Sequence, residues 1–506
     1  MVTRVTAKAV QDSTLRNVFR ITENLFNAQK QISTGKRILK PSDDPSGMRD
    51  SLALRSSIKQ RQQFVRNIEN NRIFIQSADT ALSTVGSALN RSKELAIQGL
   101  AGTATSATRD FAAGEVDKLL QEALQAGNTK AKNQYVFSGT QTRTSPFELS
   151  ASGAVYKGNT ENFTIAVASN TSLEFALPGS DVLAVDLNPS VTTATALSSM
   201  NGGTGVSAGT FTLTDRGGNS ATILVSAGQT LGNVISSINS AGLNITASIN
   251  SSNNGIQLVD SSSVITGELV VAEVGTGTTA SELGIFGSRD GNLVGTDINP
   301  VITSTTQISQ LKNGAGLTLG DISIVNGAAS GTVSLASAAT IGDVLNTINA
   351  AGFNVTASIN SAGNGLRIAS NSSTTVAVVN DIGTGTTAES LGLGGGLNVL
   401  NTLFDLKNAL ERDDNSGILA SLANLDSALA AVNESRAIIG SVQGRIDSTA
   451  NVHAQEIVFQ KEQISNIEDA DLTEQASELA NLEFALQATL SSTARIIQPT
   501  LLDFLR

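Results

Sequence analysis

The 506-residue chain has no cysteine, no tryptophan, one histidine and two tyrosines. Without cysteine there is neither a disulfide framework nor a thiolate metal cage. A lone His453, with no serine or cysteine motif to pair with, leaves a histidine-centred triad without its parts. Proline is scarce too, with seven residues and none between Ser46 and Leu100. No run approaches the roughly 18 apolar residues that span a bilayer, so membrane insertion is not expected. The opening Met1-Val2-Thr3-Arg4-Val5-Thr6 lacks the apolar core and cleavage site of a secretory signal. The expectation is a chain with no cleaved leader, which leaves export through a dedicated channel open.

Positive charge is missing from the middle. Residues 171 to 400 hold 4 Lys/Arg against 14 Asp/Glu, net -10, whereas residues 1 to 170 hold 22 against 14, net +8. Residues 401 to 506 hold 7 against 16, net -9, and the whole chain carries -11. A balance this acidic argues against generalised nucleic-acid binding.

What is present is helical periodicity at both ends. Leu15, Val18, Thr22, Leu25, Gln29 and Ile32 alternate by three and four, one seam on a helix that should stop near Gly35. Pro41-Ser42-Asp43-Asp44-Pro45-Ser46 reads as a turn and a new start, Asp44 capping and Pro45 at the first helical position. The second helix runs toward Leu100, with Ile68, Ile75, Leu82, Leu89 and Ala96 seven apart, as a coiled-coil-like stripe requires. A third is expected over Arg109 to Asn128, then short strands at Tyr135-Val136-Phe137-Ser138-Gly139 and Ala154-Val155-Tyr156-Lys157-Gly158. Helix returns at Asn401 through Leu403, Leu406, Leu410, Leu419, Leu422, Leu425 and Leu429. The last helix starts at Asp471, which caps it with Glu474 three residues on. Its stripe is Leu479, Leu482, Leu486, Thr489, Thr493 and Ile496, and Pro499 ends it.

After Thr171 the composition turns to Gly, Ser, Thr and Asn with period-two strands. Residues 230 to 259 align without gaps to residues 340 to 369, and sixteen of the thirty positions are identical. Each copy carries a helix (Leu231, Val234, Ile235, Ile238; Ile341, Val344, Leu345, Ile348), a glycine stop at Gly242 or Gly352, and an alternating strand. Gly275-Thr276-Gly277-Thr278-Thr279-Ala280 recurs as Gly383-Thr384-Gly385-Thr386-Thr387-Ala388. It lacks the Lys-Ser/Thr of a phosphate loop and reads as a turn.

The expected architecture is an α+β multidomain chain whose N- and C-terminal helices pair as an antiparallel helical bundle, with a β-rich outer domain inserted. Its division is a terminal core at 1–45 with 460–506, and a rod with a small hairpin at 46–170 with 398–459. The inserted domain covers 171–397, with repeats at about 209–285 and 320–393. Two amphipathic ends are buried either within one bundle or against neighbouring copies. Asp43 and Asp44 stand beside prolines with no histidine near, and Glu468, Asp469 and Asp471 precede a helix. Both sets read as caps, not as catalytic or calcium-binding groups. No cofactor or metal is expected.

Several of these segments carry a resemblance. They are Ile32-Ser33-Thr34-Gly35-Lys36-Arg37-Ile38 with Pro41-Ser42-Asp43-Asp44-Pro45, and Asn133-Gln134-Tyr135-Val136-Phe137-Ser138-Gly139-Thr140 with Val155-Tyr156-Lys157-Gly158. Ile467-Glu468-Asp469-Ala470-Asp471 and the ending Leu501-Leu502-Asp503-Phe504-Leu505 complete the set. In them the chain resembles the flagellin superfamily of bacterial axial proteins over about 1 to 170 and 400 to 506. The repeated Ile-Asn segments resemble its hook IN motif.

The resemblance implies a non-enzymatic structural role: a ring of copies between a hook-side hook-associated protein and flagellin or other filament-side subunits. It also implies type III export to the flagellum outside the cell and a cytoplasmic export chaperone on the C-terminal region. The assembly surface is expected at Leu15, Val18, Leu25, Ile32, Leu479, Leu482, Leu486 and Ile496, with Pro41, Asp43, Asp44 and Pro45 as the helix-turn motif. The other readings are a filament-forming flagellin and a surface glycan-binding or glycan-processing protein acting through the middle domain.

Overall fold

The computed structural model describes residues 7–169, 171–175 and 177–497; Pro499 and the Leu501 to Leu505 ending lie outside them. The chain divides into two compact units, one of Met1–Glu69, Ala166–Thr171 and Ile446–Arg506, the other of Asn70–Ile165 and Ser172–Arg445. No described helix is long and apolar enough to cross a membrane.

In the first unit, α1 (Ala7–Thr34) stops where Gly35 takes a φ of +67°, a conformation costly for any residue with a Cβ. α2 (Pro45–Gly99) starts after a turn in which Asp44 Oδ1 accepts the Gly47 N–H at 2.9 Å. Much further along the chain α9 (Asn415–Glu468) gives way to α10 (Leu472–Ile497), with Asp471 Oδ1 accepting the Thr473 and Glu474 N–H groups. α1 packs along α10. Residues Lys36 and Asp469 form an antiparallel β-bridge, so the end of α1 meets the start of α10 and the two helices run in opposite directions.

In the second unit the later part of α2 is followed by α3 (Ser106–Gly127), which packs on α8 (Val399–Glu411). Ile75, Leu82, Leu89 and Ala96 are all buried, as is Ile68 at the start of the same stripe in the first unit. The helical signal after Asn401 is interrupted: Asp413 adopts a φ of +56° between α8 and α9. Consequently Leu419 points to solvent and Ile418 takes the buried position beside it.

Small hairpins follow α3: β1 (Lys130–Ala131) with β2 (Gln134–Tyr135), β3 (Phe147–Ser150) with β4 (Gly153–Tyr156), and β5 (Thr164–Ala168) with β6 (Thr171–Glu174). The strand expected over Tyr135 to Gly139 is confined to its first residue. Beyond it the backbone is satisfied by other partners. Phe137 O accepts the Gly179 N–H and the Tyr156 hydroxyl, and Ser138 O accepts the Asn159 N–H.

The polar middle folds as two modules with the same order of elements. The first has β7 (Gly209–Thr214), β8 (Ser220–Val225), α4 (Leu231–Asn239), β9 (Ile245–Ile249), β10 (Ile256–Asp260), β11 (Leu269–Glu273) and α5 (Thr279–Glu282), and ends in β12 (Gly287–Arg289) and β13 (Leu293–Val294). The second has β14 (Asp321–Asn326), β15 (Ala329–Ser334), α6 (Ile341–Ala350), β16 (Val355–Ile359), β17 (Leu366–Ser370), β18 (Val378–Asp381) and α7 (Thr387–Ser390). Their sheets are β12-β11-β7-β8 with β13-β10-β9, and β15-β14-β18 with β16-β17. Each module has its own apolar core.

The repeated Ile-Asn pair closes each module. Ile238 and Ile348 are fully buried. The next residue clamps the following strand from both sides: Asn239 donates to Ala247 O at 3.0 Å and accepts the Ala247 N–H at 2.6 Å. Asn349 does the same to Ala357 at 3.1 and 2.7 Å. A side-chain amide presents one donor and one acceptor side by side at neutral pH without carrying charge, which matches the C=O and N–H of one residue. The motif is thus a helix-to-strand clamp.

Candidate assembly interface

The site lies in the first unit, on the α1–α10 pair and the turns that end it. Among the expected seam residues, Val18, Leu25, Ile32, Leu479, Leu482 and Leu486 are half-buried, while Leu15 is exposed. Ile496 falls in α10, but its side chain lies outside the described residues. The seam is shallow, and among the described apolar side chains along α1 Ala28 is the buried one.

The helix turns further apolar side chains outward. Phe19 is 72% exposed and Phe26 64% exposed, together with Leu15. At about 100° per residue these three lie within roughly 40° of one another and about 100° around α1 from the Val18, Leu25 and Ile32 seam. The single stripe read from the sequence therefore mixes two faces, one toward α10 and one toward solvent. α10 likewise exposes Leu472, Phe484 and Leu490, Phe484 at 74%. These aromatics were missed because they sit off the seam, although the seven-residue spacing of Phe19 and Phe26 was a usable signal. Apolar groups of this size held in water along two paired helices make this pair the candidate contact surface.

The turns form a polar corner. Arg37 N–H donates to Glu468 O at 2.6 Å, Ala470 N–H to Gly35 O at 3.0 Å, and the Arg37 guanidinium to Ile467 O at 2.8 Å. Glu468 is buried at the centre. It receives Arg55 Nη2 at 2.7 Å, the Ser51 hydroxyl, and Lys36 Nζ at 3.4 Å, while Lys36 also reaches Asp469 at 2.5 Å. The Arg55 hydrogen bond, aided by Ser51 and Lys36, holds the Glu468 carboxyl below its usual range. The bond from Lys36 lowers Asp469, and Lys36 itself is raised by Asp469.

Pro41 and Pro45 are exposed, Asp43 is exposed and Asp44 half-buried. Asp43 accepts the Leu39 and Lys40 N–H groups at 3.0 and 2.8 Å, which lowers its pKa. Asp44 is lowered by the Gly47 N–H. The carboxylates here act on backbone and cations as caps and clasps. Among the described residues no group of three or more His, Cys, Asp or Glu could hold a metal ion.

His453 is buried. Its Nε2 donates to Val167 O at 2.7 Å, which leaves Nδ1 to accept from Arg61 at 3.3 Å, and the ring stacks on Phe64. It anchors the short 166–171 segment to α2 and α9.

Because Glu468 and Asp469 are lowered in the folded protein, their contribution is present above the ordinary carboxylate range and is lost as pH falls through it. Glu468→Gln is expected to lower unfolding stability by about 1–2 kcal/mol at pH 7, with the difference closing as the solution is acidified. Thermal melts followed by circular dichroism at pH 7 and pH 3 measure this, and a difference that widens in acid would contradict it.

Both helical ends match known families. Residues 5–142 match the bacterial flagellin N-terminal helical region and residues 422–505 the bacterial flagellin C-terminal helical region. These two matches cover the helical ends and leave the middle of the chain unmatched by either. Among curated proteins it is similar to flagellar hook-associated protein 3 of Escherichia coli (strain K12), 28% identical over 156 residues, covering 30% of this chain and 48% of that protein. It is also similar to the protein of the same name from Salmonella typhimurium, 23% identical over 182 residues, covering 35% of this chain and 56% of that protein. The chain thus spans about half the length of the curated relatives it matches. A solved structure of flagellar hook associated protein-3 from Legionella pneumophila aligns with 82% of this chain and 98% of its own at 15% identity and a TM-score of 0.37.

Proposed function

We propose that the chain is a non-enzymatic structural part of the bacterial flagellum, a junction adaptor joining hook-side subunits to filament-side subunits. The observation that carries this reading is the α1–α10 pair: two flagellin-type helical ends that pack on each other and still expose Leu15, Phe19, Phe26, Phe484 and Leu490. The likeness to proteins named hook-associated protein 3 favours the junction over the filament.

In this reading 1–45 with 460–506 form a terminal helical core that packs as a bundle in a ring of copies. Residues 46–170 with 398–459 form a rod, and 171–397 an outer domain of two hook IN-type modules. Leu15, Val18, Leu25, Ile32, Leu479, Leu482, Leu486 and Ile496 belong to the contact surfaces, and Pro41, Asp43, Asp44 and Pro45 set the corner between core and rod. A hook-side hook-associated protein and flagellin are the neighbours. The chain is exported to the flagellum, escorted in the cytoplasm by a chaperone on its C-terminal region.

Immunogold labelling of isolated flagella with antibody to residues 171–397 tests the position. Gold confined to the boundary between hook and filament is expected. Label along the whole filament would replace the junction reading with a filament subunit.

A further inference from the structure

The second unit contains a repeated segment outside the aligned thirty residues. Asp186-Leu187-Asn188-Pro189 precedes the first module and Asp297-Ile298-Asn299-Pro300 precedes the second. Each aspartate accepts the backbone N–H two residues on, Asn188 at 2.9 Å and Asn299 at 2.7 Å.

The two segments cross between the modules. Leu187 N–H donates to Asn364 O of the second module, and Val191 N–H to Asn253 O of the first. In the mirror arrangement Ile298 N–H donates to Asn254 O of the first, and Ile302 N–H to Gly363 O of the second. Asn254 and Asn364 occupy matching positions of the aligned repeats. The Asn364 amide reaches Asp186 at 3.4 Å, and the Asn188 amide bridges to Asp297 at 2.9 Å.

The crossing buries both carboxyls, Asp186 at 4% and Asp297 at 8% exposure. The charges that bear most on them are negative: Asp297 and Asp181 act on Asp186, and Glu161 acts on Asp297. Glu161 accepts the Asp297 N–H at 3.2 Å. The buried Tyr156 phenol feels Asp186, and the cation Lys312 acts on Asp181. Two like charges in a dry crossing disfavour their own ionisation.

We propose that the crossed Asp-x-Asn-Pro segments form a proton-operated clasp, which holds the two modules together while its carboxyls are neutral and loosens when they ionise. Burial, reinforced by the neighbouring carboxylates, pushes Asp186 up to about 7 and Asp297 up to about 6. The two titrate as a pair. Between the ordinary carboxylate range and these values the folded chain holds protons that the unfolded chain has released. The stabilisation is therefore complete in acid and lost as pH rises through 6 and 7.

Hydrogen exchange of the full chain tests this at the N–H groups of Leu187, Val191, Ile298 and Ile302, read as protection factors so that the intrinsic pH dependence cancels. At least about tenfold lower protection at pH 8 than at pH 5 is expected, with unchanged protection in the module strands. In the Asp186→Asn/Asp297→Asn variant protection stays high at both pH values. The single Asp297→Asn variant, expected to halve the pH dependence, serves if the double variant fails to fold. Equal protection of the parent at pH 5 and 8 overturns the proposal, as does a pH-dependent loss that persists in the Asn variants. Protection kept at pH 8 by calcium and removed by a chelator also overturns it, in favour of a cation-held pair.

Discussion

Cells whose only copy of the gene carries Phe19→Glu and Phe26→Glu are expected to build hooks without attached filaments, while the purified variant stays within about 1 kcal/mol of the parent in unfolding stability. Both rings are mostly exposed in the folded chain, so their loss removes little internal packing. In an assembly each would be buried, at a gain of roughly 1.5–3 kcal/mol per side chain. A glutamate in the same place brings an unpaired charge into the contact, which costs more than the missing apolar area. Changing the half-buried Leu25 instead would damage the monomer as well. That contrast separates the outer stripe from the α1–α10 seam. A double variant that restores normal filaments would remove the outer stripe from the interface.

Gly139→Ala should destabilise the second unit by about 3 kcal/mol, from left-handed backbone strain plus steric conflict. Gly139 has a φ of +60°, and a Cβ there would lie 2.5 Å from the backbone oxygen of Asn159 and 2.1 Å from its side-chain oxygen. Those Asn159 atoms are committed: the side-chain oxygen accepts the Thr140 N–H at 2.9 Å and the backbone oxygen accepts the Tyr156 hydroxyl at 2.8 Å. Tyr156 is itself almost fully buried against Phe147. The strain therefore reaches the centre of the helix-to-hairpin junction. Urea unfolding of the full chain, monitored by tyrosine fluorescence, measures the cost. A loss below 1 kcal/mol would mean the turn relaxes around the new methyl.

Strong local signals made much of the fold legible in the sequence. The buried stripe from Ile68 to Ala96 followed from seven-residue spacing, and the starts of α2 and α10 from Asp44-Pro45 and Asp471. The modules followed from sixteen identities in thirty positions. What was not legible depended on which of two similar faces a helix turns inward. Leu15 and Leu419 obey the period and are nevertheless exposed, because α1 carries a second apolar stripe and Asp413 resets the phase between α8 and α9. Val136 to Gly139 looked like a strand by composition. Its backbone bonds instead go to Gly179, Tyr156 and Asn159, residues that only the tertiary fold brings near.

The corner was half legible. Asp43, Asp44 and Asp471 could be read as caps because capping is local. The Glu468 cluster with Ser51, Arg55 and Lys36 joins residues more than four hundred positions apart, and no local pattern announces it. The Asn239 and Asn349 clamps were visible as repetition and not as mechanism. Their meaning appears when both ends of each amide are seen to hold one alanine of the next strand.

The most direct measurement of the central claim is negative-stain microscopy of a strain lacking this gene, with flagellin assayed in the culture medium. Hooks without filaments, and flagellin shed unassembled, are the predicted result, reversed by the intact gene. Normal filaments on every hook in the deletion strain would contradict the junction role.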